Sequence, residues 1–171
     1  TDILFMSSRA GSTVYDRLFA EAFIRPGLDA DRWGNRSNYA ALNVTPTGPG
    51  EMSIYHKDGR RYTLRTDGFI SVRAGYEEGE LMTKPVVFTG SRLGLNFSTT
   101  AAGSLQVELQ DVQGRAFPGF ALADCQILVG DKIEQMVAWK ENPALSKLAG
   151  KSVRIRFVMT ECDLYSFRFQ N

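Results

Sequence analysis

Charged and aromatic side chains crowd the first forty residues of this chain: Arg9, Tyr15, Asp16, Arg17, Glu21, Arg25, Asp29, Asp31, Arg32, Trp33, Arg36 and Tyr39. Carbohydrate sites need this mixture. Flat rings stack on the C–H face of a sugar, and Arg, Asp and Glu exchange charge-assisted hydrogen bonds with its hydroxyls. The same residues also read as solvated loop charges whose ion pairs carry little energy. Glycosidase chemistry asks for two carboxyl groups held across the scissile bond. Asp16 and Glu21 are the natural pair to test. On a helix their spacing aligns them poorly, and on a strand it sends them to opposite faces. No catalytic residue is therefore assigned.

The other reactive residues point to no recognised chemistry. His56 is the single histidine and has no Ser or Cys partner in a nucleophile motif; GxSxG, P-loop and GxGxxG patterns are absent. One histidine and no CxxC leave no zinc-type ligand spacing, so neither a metal nor a cofactor is expected. Cys125 and Cys162 read either as a bridge in an exported chain or as two separate buried thiols. Trp139 is a core residue or a sugar-stacking platform. Asp111, Asp124 and Asp131 serve turns or a structural calcium ion.

Short strands must position these residues. The 171 residues carry 20 Lys and Arg against 19 Asp and Glu, a net charge of +1. That balance speaks against nucleic acid as a partner. Every apolar run is interrupted well short of a membrane span. Leu105–Leu109 and Ser152–Val158 alternate apolar and polar residues, as a strand with one wet face does. Phe69–Val72, Pro85–Phe88, Leu93–Ser98, Ile133–Val137 and Leu164–Phe169 add further short runs. Turn signals at Ala102-Gly103-Ser104, Gln113-Gly114, Pro118-Gly119 and Ala149-Gly150 separate them. Asn142–Ala149 reads as one helical turn capped by Asn142. Alternation places Leu105, Val107, Leu109, Val153, Ile155, Phe157, Phe167 and Phe169 in a core, with Glu108 and Arg154 facing out.

The first third is less regular. Residues 13–24 suit a short helix or an irregular strand. Residues 25–50 form a long loop, and Glu51–Tyr55 with Arg61–Arg65 make a hairpin about Asp58-Gly59. The expected fold is all-β: an antiparallel β-sandwich, jelly-roll or concanavalin-like, preceded by a partly irregular β segment. The apolar run Ile3–Met6 at the very start reads as a strand with no lead-in. That suggests a fragment of a longer chain, with a trimmed, exported protein (periplasmic or extracellular) as the alternative.

Three stretches carry a resemblance. They are Phe5-Met6-Ser7-Ser8-Arg9 with Tyr15-Asp16-Arg17 and Glu21–Gly27; Pro46–Tyr55 with Arg61–Arg65; and Leu95–Thr99 through Ala102-Gly103-Ser104 and Pro118-Gly119-Phe120 to Asp163–Phe169. Together they resemble the C-terminal portion of bacterial proteins similar to glycoside hydrolase family 32, which join a five-bladed β-propeller to a C-terminal β-sandwich. The resemblance implies that residues 1–66 are the closing blade of a propeller and its connection, and residues 67–171 the sandwich. The family's catalytic groups lie on earlier blades. The chain has no Arg-Asp-Pro, and its Glu161-Cys162 falls in the last hairpin rather than at an acid/base position. The implied function is a non-catalytic sandwich module that braces a propeller and contacts carbohydrate, with Arg9, Asp16, Arg17, Glu21 and Arg25 as the sugar-binding positions. Two alternatives stand beside it. One is a fragment that lends substrate-binding residues to a propeller glycosidase. The other is a protein–protein module that pairs through an exposed edge strand. The expected partners are accordingly a carbohydrate, an upstream propeller of the same protein, or a second copy of the chain.

Overall fold

The structure is a computed structural model and describes residues 2–29 and 38–171. Asp31, Arg32, Trp33 and Arg36 lie outside the described residues. The fold is all-β and antiparallel, and the chain divides into two compact units at Phe69/Ile70.

In the first unit, β1 (Thr45–Gly48), β2 (Glu51–Tyr55) and β3 (Arg61–Arg65) form a sheet in that order. The β2–β3 hairpin pairs Glu51 with Arg65 and Tyr55 with Arg61. Its turn needs Gly59, whose φ of 87° lies in the left-handed region. Residues 3–24 are extended rather than helical. Ser7 and Asp16 exchange backbone hydrogen bonds of 3.0 and 2.7 Å, and Ile3 pairs with Ile24. The backbone groups of Asp16, Phe23 and Ile24 are committed across the chain, and no helix forms over residues 13–24, so the irregular extended alternative is the one adopted. Ile24 and Ile54 are the buried large aliphatic side chains here, beside a trio of rings, Phe5, Phe23 and Phe69, with centroids 5.5–6.2 Å apart.

The second unit, Ile70–Asn171, is a β-sandwich made by folding one six-stranded sheet over. Its strands are β4 (Val72–Ala74), β5 (Gly79–Met82), β6 (Val86–Val87), β7 (Arg92–Gln110), β8 (Asp131–Met136) and β9 (Ser152–Gln170). β9 pairs with β7 along one side and with β4, β5 and β6 along the other; β8 lies beyond β7. β7 and β9 each run 19 residues and bend at the same place. There the register jumps from Thr99↔Cys162 to Ser104↔Thr160. Gly103 sits in this bend because a Cβ would fall 2.6 Å from the Glu161 carbonyl oxygen.

The bend changes the phase of burial. Val153, Ile155, Phe157 and Met159 point into the core, and then Glu161, with φ of 42°, adds one residue to the strand. Cys162 and Leu164 therefore point inward in its wake. A second irregularity between Asn96↔Ser166 and Phe97↔Leu164 skips Tyr165 and restores the original phase. Two extra residues cancel, so Phe167 and Phe169 share the phase of Phe157.

Of the eight expected core residues, Leu105, Val107, Leu109, Val153, Ile155 and Phe157 are completely buried. Phe167 and Phe169 are half-buried against the same cluster. The wet-face expectation needs correction at Glu108, which is buried as well. The segment after β7 lies over that face. Gln106 donates to the Leu122 and Cys125 carbonyl oxygens, and Glu108 accepts from the Leu122 N–H at 2.9 Å.

Trp139 belongs to the core. Its Nε1 donates to the Val107 carbonyl oxygen at 3.1 Å, and its ring meets Phe120 edge to face at 5.1 Å. A ring so enclosed offers no platform to a sugar. The helical turn is a 3-10 turn, Leu145–Leu148, entered through Ala144 and not capped by Asn142, which itself has φ of 45°. Cys125 and Cys162 are free, buried thiols. Burial, with the charge of Asp163 behind it, pushes the Cys162 thiol up to about 11, and burial likewise raises Cys125.

Candidate functional site

The expected sugar-binding residues lie on the irregular hairpin of residues 3–25 in the first unit. Arg9, Asp16, Arg17, Glu21 and Arg25 are all exposed. Arg9 is at the tip, next to the turn closed by Ser12 N–H on the Arg9 carbonyl oxygen, whereas Arg25 follows Ile24 at the base. Arg17 is held locally, donating to the Phe19 and Ala20 carbonyl oxygens at 3.3 and 3.2 Å. Ser7 pairs with Asp16 toward the tip and Ile3 with Ile24 at the base, so Arg9 and Arg25 lie at different ends of the hairpin.

His56 is buried in the β2–β3 turn. Its Nε2 accepts from the Tyr39 N–H at 3.2 Å, so the proton sits on Nδ1 and is donated to Asp58 Oδ1 at 2.7 Å. Burial works against the charge on Asp58, but hydrogen bonds from the Arg60 N–H and from His56 outweigh it and hold that carboxyl below its usual range. The imidazole is a fastener of the turn, with both nitrogens occupied.

Among the described residues, Glu108 is the most enclosed carboxylate. It accepts from Gln110 Nε2 at 2.5 Å and from the Leu122 N–H, and Arg156 stands 3.5 Å away. Burial opposes its charge, yet these donors and the Arg156 charge keep its pKa below the ordinary value. Its oxygens are taken, so it binds the 121–125 segment to the sandwich instead of serving a ligand. Asp111 does similar work in its turn, accepting from the Gln113 and Arg115 N–H groups at 2.9 and 3.0 Å. Among the described residues, no group of three His, Cys, Asp or Glu is placed to hold a metal ion.

One cleft combines free polar groups with an accessible ring. It lies at the bend of the sandwich, has a volume of about 210 Å³, and is lined by Arg73, Gly75, Tyr76, Ser98, Thr99, Thr100, Glu161 and Asp163. Register builds it. Arg73, Asp163 and Ser98 are direct neighbours on β4, β9 and β7. Directly opposed residues share a face, and because Cys162 and Leu164 point inward, this row points outward. The phase change at Glu161 is what turns Asp163 to the surface.

Local bonds fix part of the lining. Ser71 Oγ donates to Asp163 Oδ1 at 2.7 Å, and Thr100 Oγ1 to Glu161 Oε2 at 2.5 Å. Thr99 Oγ1 donates to the Thr100 carbonyl oxygen and accepts from the Gly130 N–H. The Arg73 side chain has no ionic or hydrogen-bonded partner among the described residues, and Tyr76 is 88% exposed. Ser98, Thr99 and Asp163 fell within the stretches that carry the resemblance and Glu161 was noted only as misplaced for an acid/base, but none of them was assigned to a site. The one local signal was an aromatic between two glycines, Gly75-Tyr76-Glu77-Glu78-Gly79.

Comparison of the chain with protein families, with curated proteins and with solved structures finds no match.

Proposed function

We propose that this chain is the C-terminal, non-catalytic part of a glycoside-hydrolase-like protein. In this reading the second unit is a β-sandwich that braces a propeller and contacts carbohydrate, and the first unit is the propeller's closing piece. The observation that carries it is the unequal closure of the two units. Leu4, Met6, Val14, Tyr15, Leu18 and Phe19 are exposed in the first, while the second encloses a continuous core. Burying one large apolar side chain is worth ~1.5–3 kcal/mol, and a cluster of exposed ones marks a surface meant for cover. Neighbouring blades of a propeller supply such cover. The three stretches that resemble family 32 relatives supply the family. Catalysis is left to residues outside this chain, since Asp16 and Glu21 are exposed and Glu108 is bonded on both oxygens.

Reading the parent gene upstream of Thr1 tests the assignment. Coding sequence for further four-stranded repeats is the expected result, and a start codon adjoining Thr1 overturns it. The purified chain should not hydrolyse fructosides, arabinosides or sialosides. Turnover abolished by Glu21→Gln would overturn the non-catalytic reading.

A further inference from the structure

We propose that the cleft at the bend of the sandwich binds a single sugar residue. Tyr76 would stack on its C–H face, while Arg73, Glu161 and Asp163 would hydrogen-bond its hydroxyls. The lining selects the ligand class by elimination. Two carboxylates repel a phosphate or other anion, and the unpaired Arg73 guanidinium repels a metal cation. An apolar peptide side chain would need an apolar pocket, but apart from Tyr76 and Gly75 the named lining is polar or charged. A neutral polyol satisfies all of it: guanidinium N–H groups donate to hydroxyl oxygens, and carboxylates accept from hydroxyl hydrogens.

The free ring completes the match. Tyr76 is 88% exposed beside these groups, and an aromatic so presented is available to cover one face of a sugar ring. The size points to one unit. At about 210 Å³ the cleft is smaller than the ~300–1,000 Å³ typical of drug-sized sites, so it holds a terminal or branch residue with the rest of the glycan in solvent. Its walls are also set in advance. Gly103 has no room for a Cβ, Glu161 is held at φ of 42°, and Ser71 and Thr100 orient the two carboxylates. Preformed donors and acceptors reduce the ordering cost of binding.

This site shares no residue with the hairpin carrying Glu21 and Arg25, and it rests on the proposed function only for the choice of sugars to try. Fructo-, arabino-, xylo- and cello-oligosaccharides would be titrated into the full 171-residue chain, with calorimetry and saturation-transfer NMR as readouts. At least one should bind. Tyr76→Ala and Arg73→Ala should each weaken it about tenfold or more, Tyr76→Phe should keep most of the affinity, and Glu21→Ala with Arg25→Ala should leave it unchanged. Exposure of Tyr76 and Arg73 lets these variants fold, which unchanged melting curves would show. Affinity untouched by Tyr76→Ala, or lost with Glu21→Ala and Arg25→Ala instead, overturns the cleft and leaves the carbohydrate reading standing. No binding of any probe overturns both the cleft and the carbohydrate contact, while the bracing role is judged separately by the upstream gene. Calcium binding that Glu161→Gln abolishes overturns the proposal in favour of a cation.

Discussion

The two units solve the same problem to different degrees. Both are antiparallel β structures built from similar residue types. The second bends its two long paired strands, β7 and β9, and eight core residues on those two strands alone are completely buried: Leu93, Phe97, Leu105, Val107, Leu109, Val153, Ile155 and Phe157. The first has a three-stranded sheet and a hairpin joined by isolated bridges, and it buries two isoleucines beside three half-buried phenylalanine rings. A strand pays its ordering entropy per residue whether or not its face is covered. Length makes the difference: two 19-residue strands can bend and cover themselves, whereas strands of four and five residues cannot.

The sharpest way to break this comparison is to separate the units. Residues 70–171 alone should unfold cooperatively, and residues 1–69 alone should show no cooperative transition in calorimetry. A sharp melt of 1–69 would mean that its exposed side chains need no cover. Next in size is Phe157→Ala. It should cost about 3–5 kcal/mol in urea denaturation of the full chain, and a loss under ~1 kcal/mol would show that the sandwich core is loosely packed.

Glu108→Ala should cost about 1–3 kcal/mol by leaving the Leu122 N–H and its side-chain partners without an acceptor. The pH dependence sharpens this result. The folded-state pKa of Glu108 lies below the ordinary 4.5, because its donors and Arg156 outweigh burial. A depressed carboxylate pKa gives a contribution that is complete above the unfolded value and disappears as pH falls through the folded one. Melting temperature should therefore drop below about pH 4.5, and Glu108→Gln should flatten that drop. Asp111 and Glu134 are shifted the same way, by Arg115 and Arg168 respectively, and add to the acid limb. The smallest effect belongs to the first unit's surface. Val14→Ser and Leu18→Ser should each stay within ~0.5 kcal/mol, since the side chains are 70% and 60% exposed; a larger cost would mean that the chain covers them in solution.

Strand phase was legible wherever alternation was strict. Leu105, Val107 and Leu109 read correctly because Gln106, Glu108 and Gln110 mark the opposite phase. What alternation could not say was that the opposite phase is covered too. Glu108 looked solvated because a charge seldom goes inside, and it goes inside here because a distant segment brings a backbone donor to it. Phe167 and Phe169 kept their expected phase only because two irregularities in β9 compensate one another. The clustered charges of the first forty residues were conspicuous in sequence, yet the structure spreads Arg9 and Arg25 to opposite ends of a hairpin. The cleft went unread for the converse reason, since its residues are dispersed along the chain and Glu161 looked like a hairpin residue of no consequence.

By itself the sequence determined that the fold is all-β, where its main hairpin turns, and which phase of its long strands is apolar. Those properties depend on nearest neighbours: turn chemistry at Asp58-Gly59 and the two-residue repeat of a pleated strand. Tertiary structure alone decided where the long strands bend and which outward residues meet across them. The bend depends on a one-residue insertion at Glu161 set against Thr100–Gly103 on β7. Pairing register then brings Arg73, Ser98 and Asp163 into one row, because hydrogen bonding between strands disregards how far apart in the chain its partners lie.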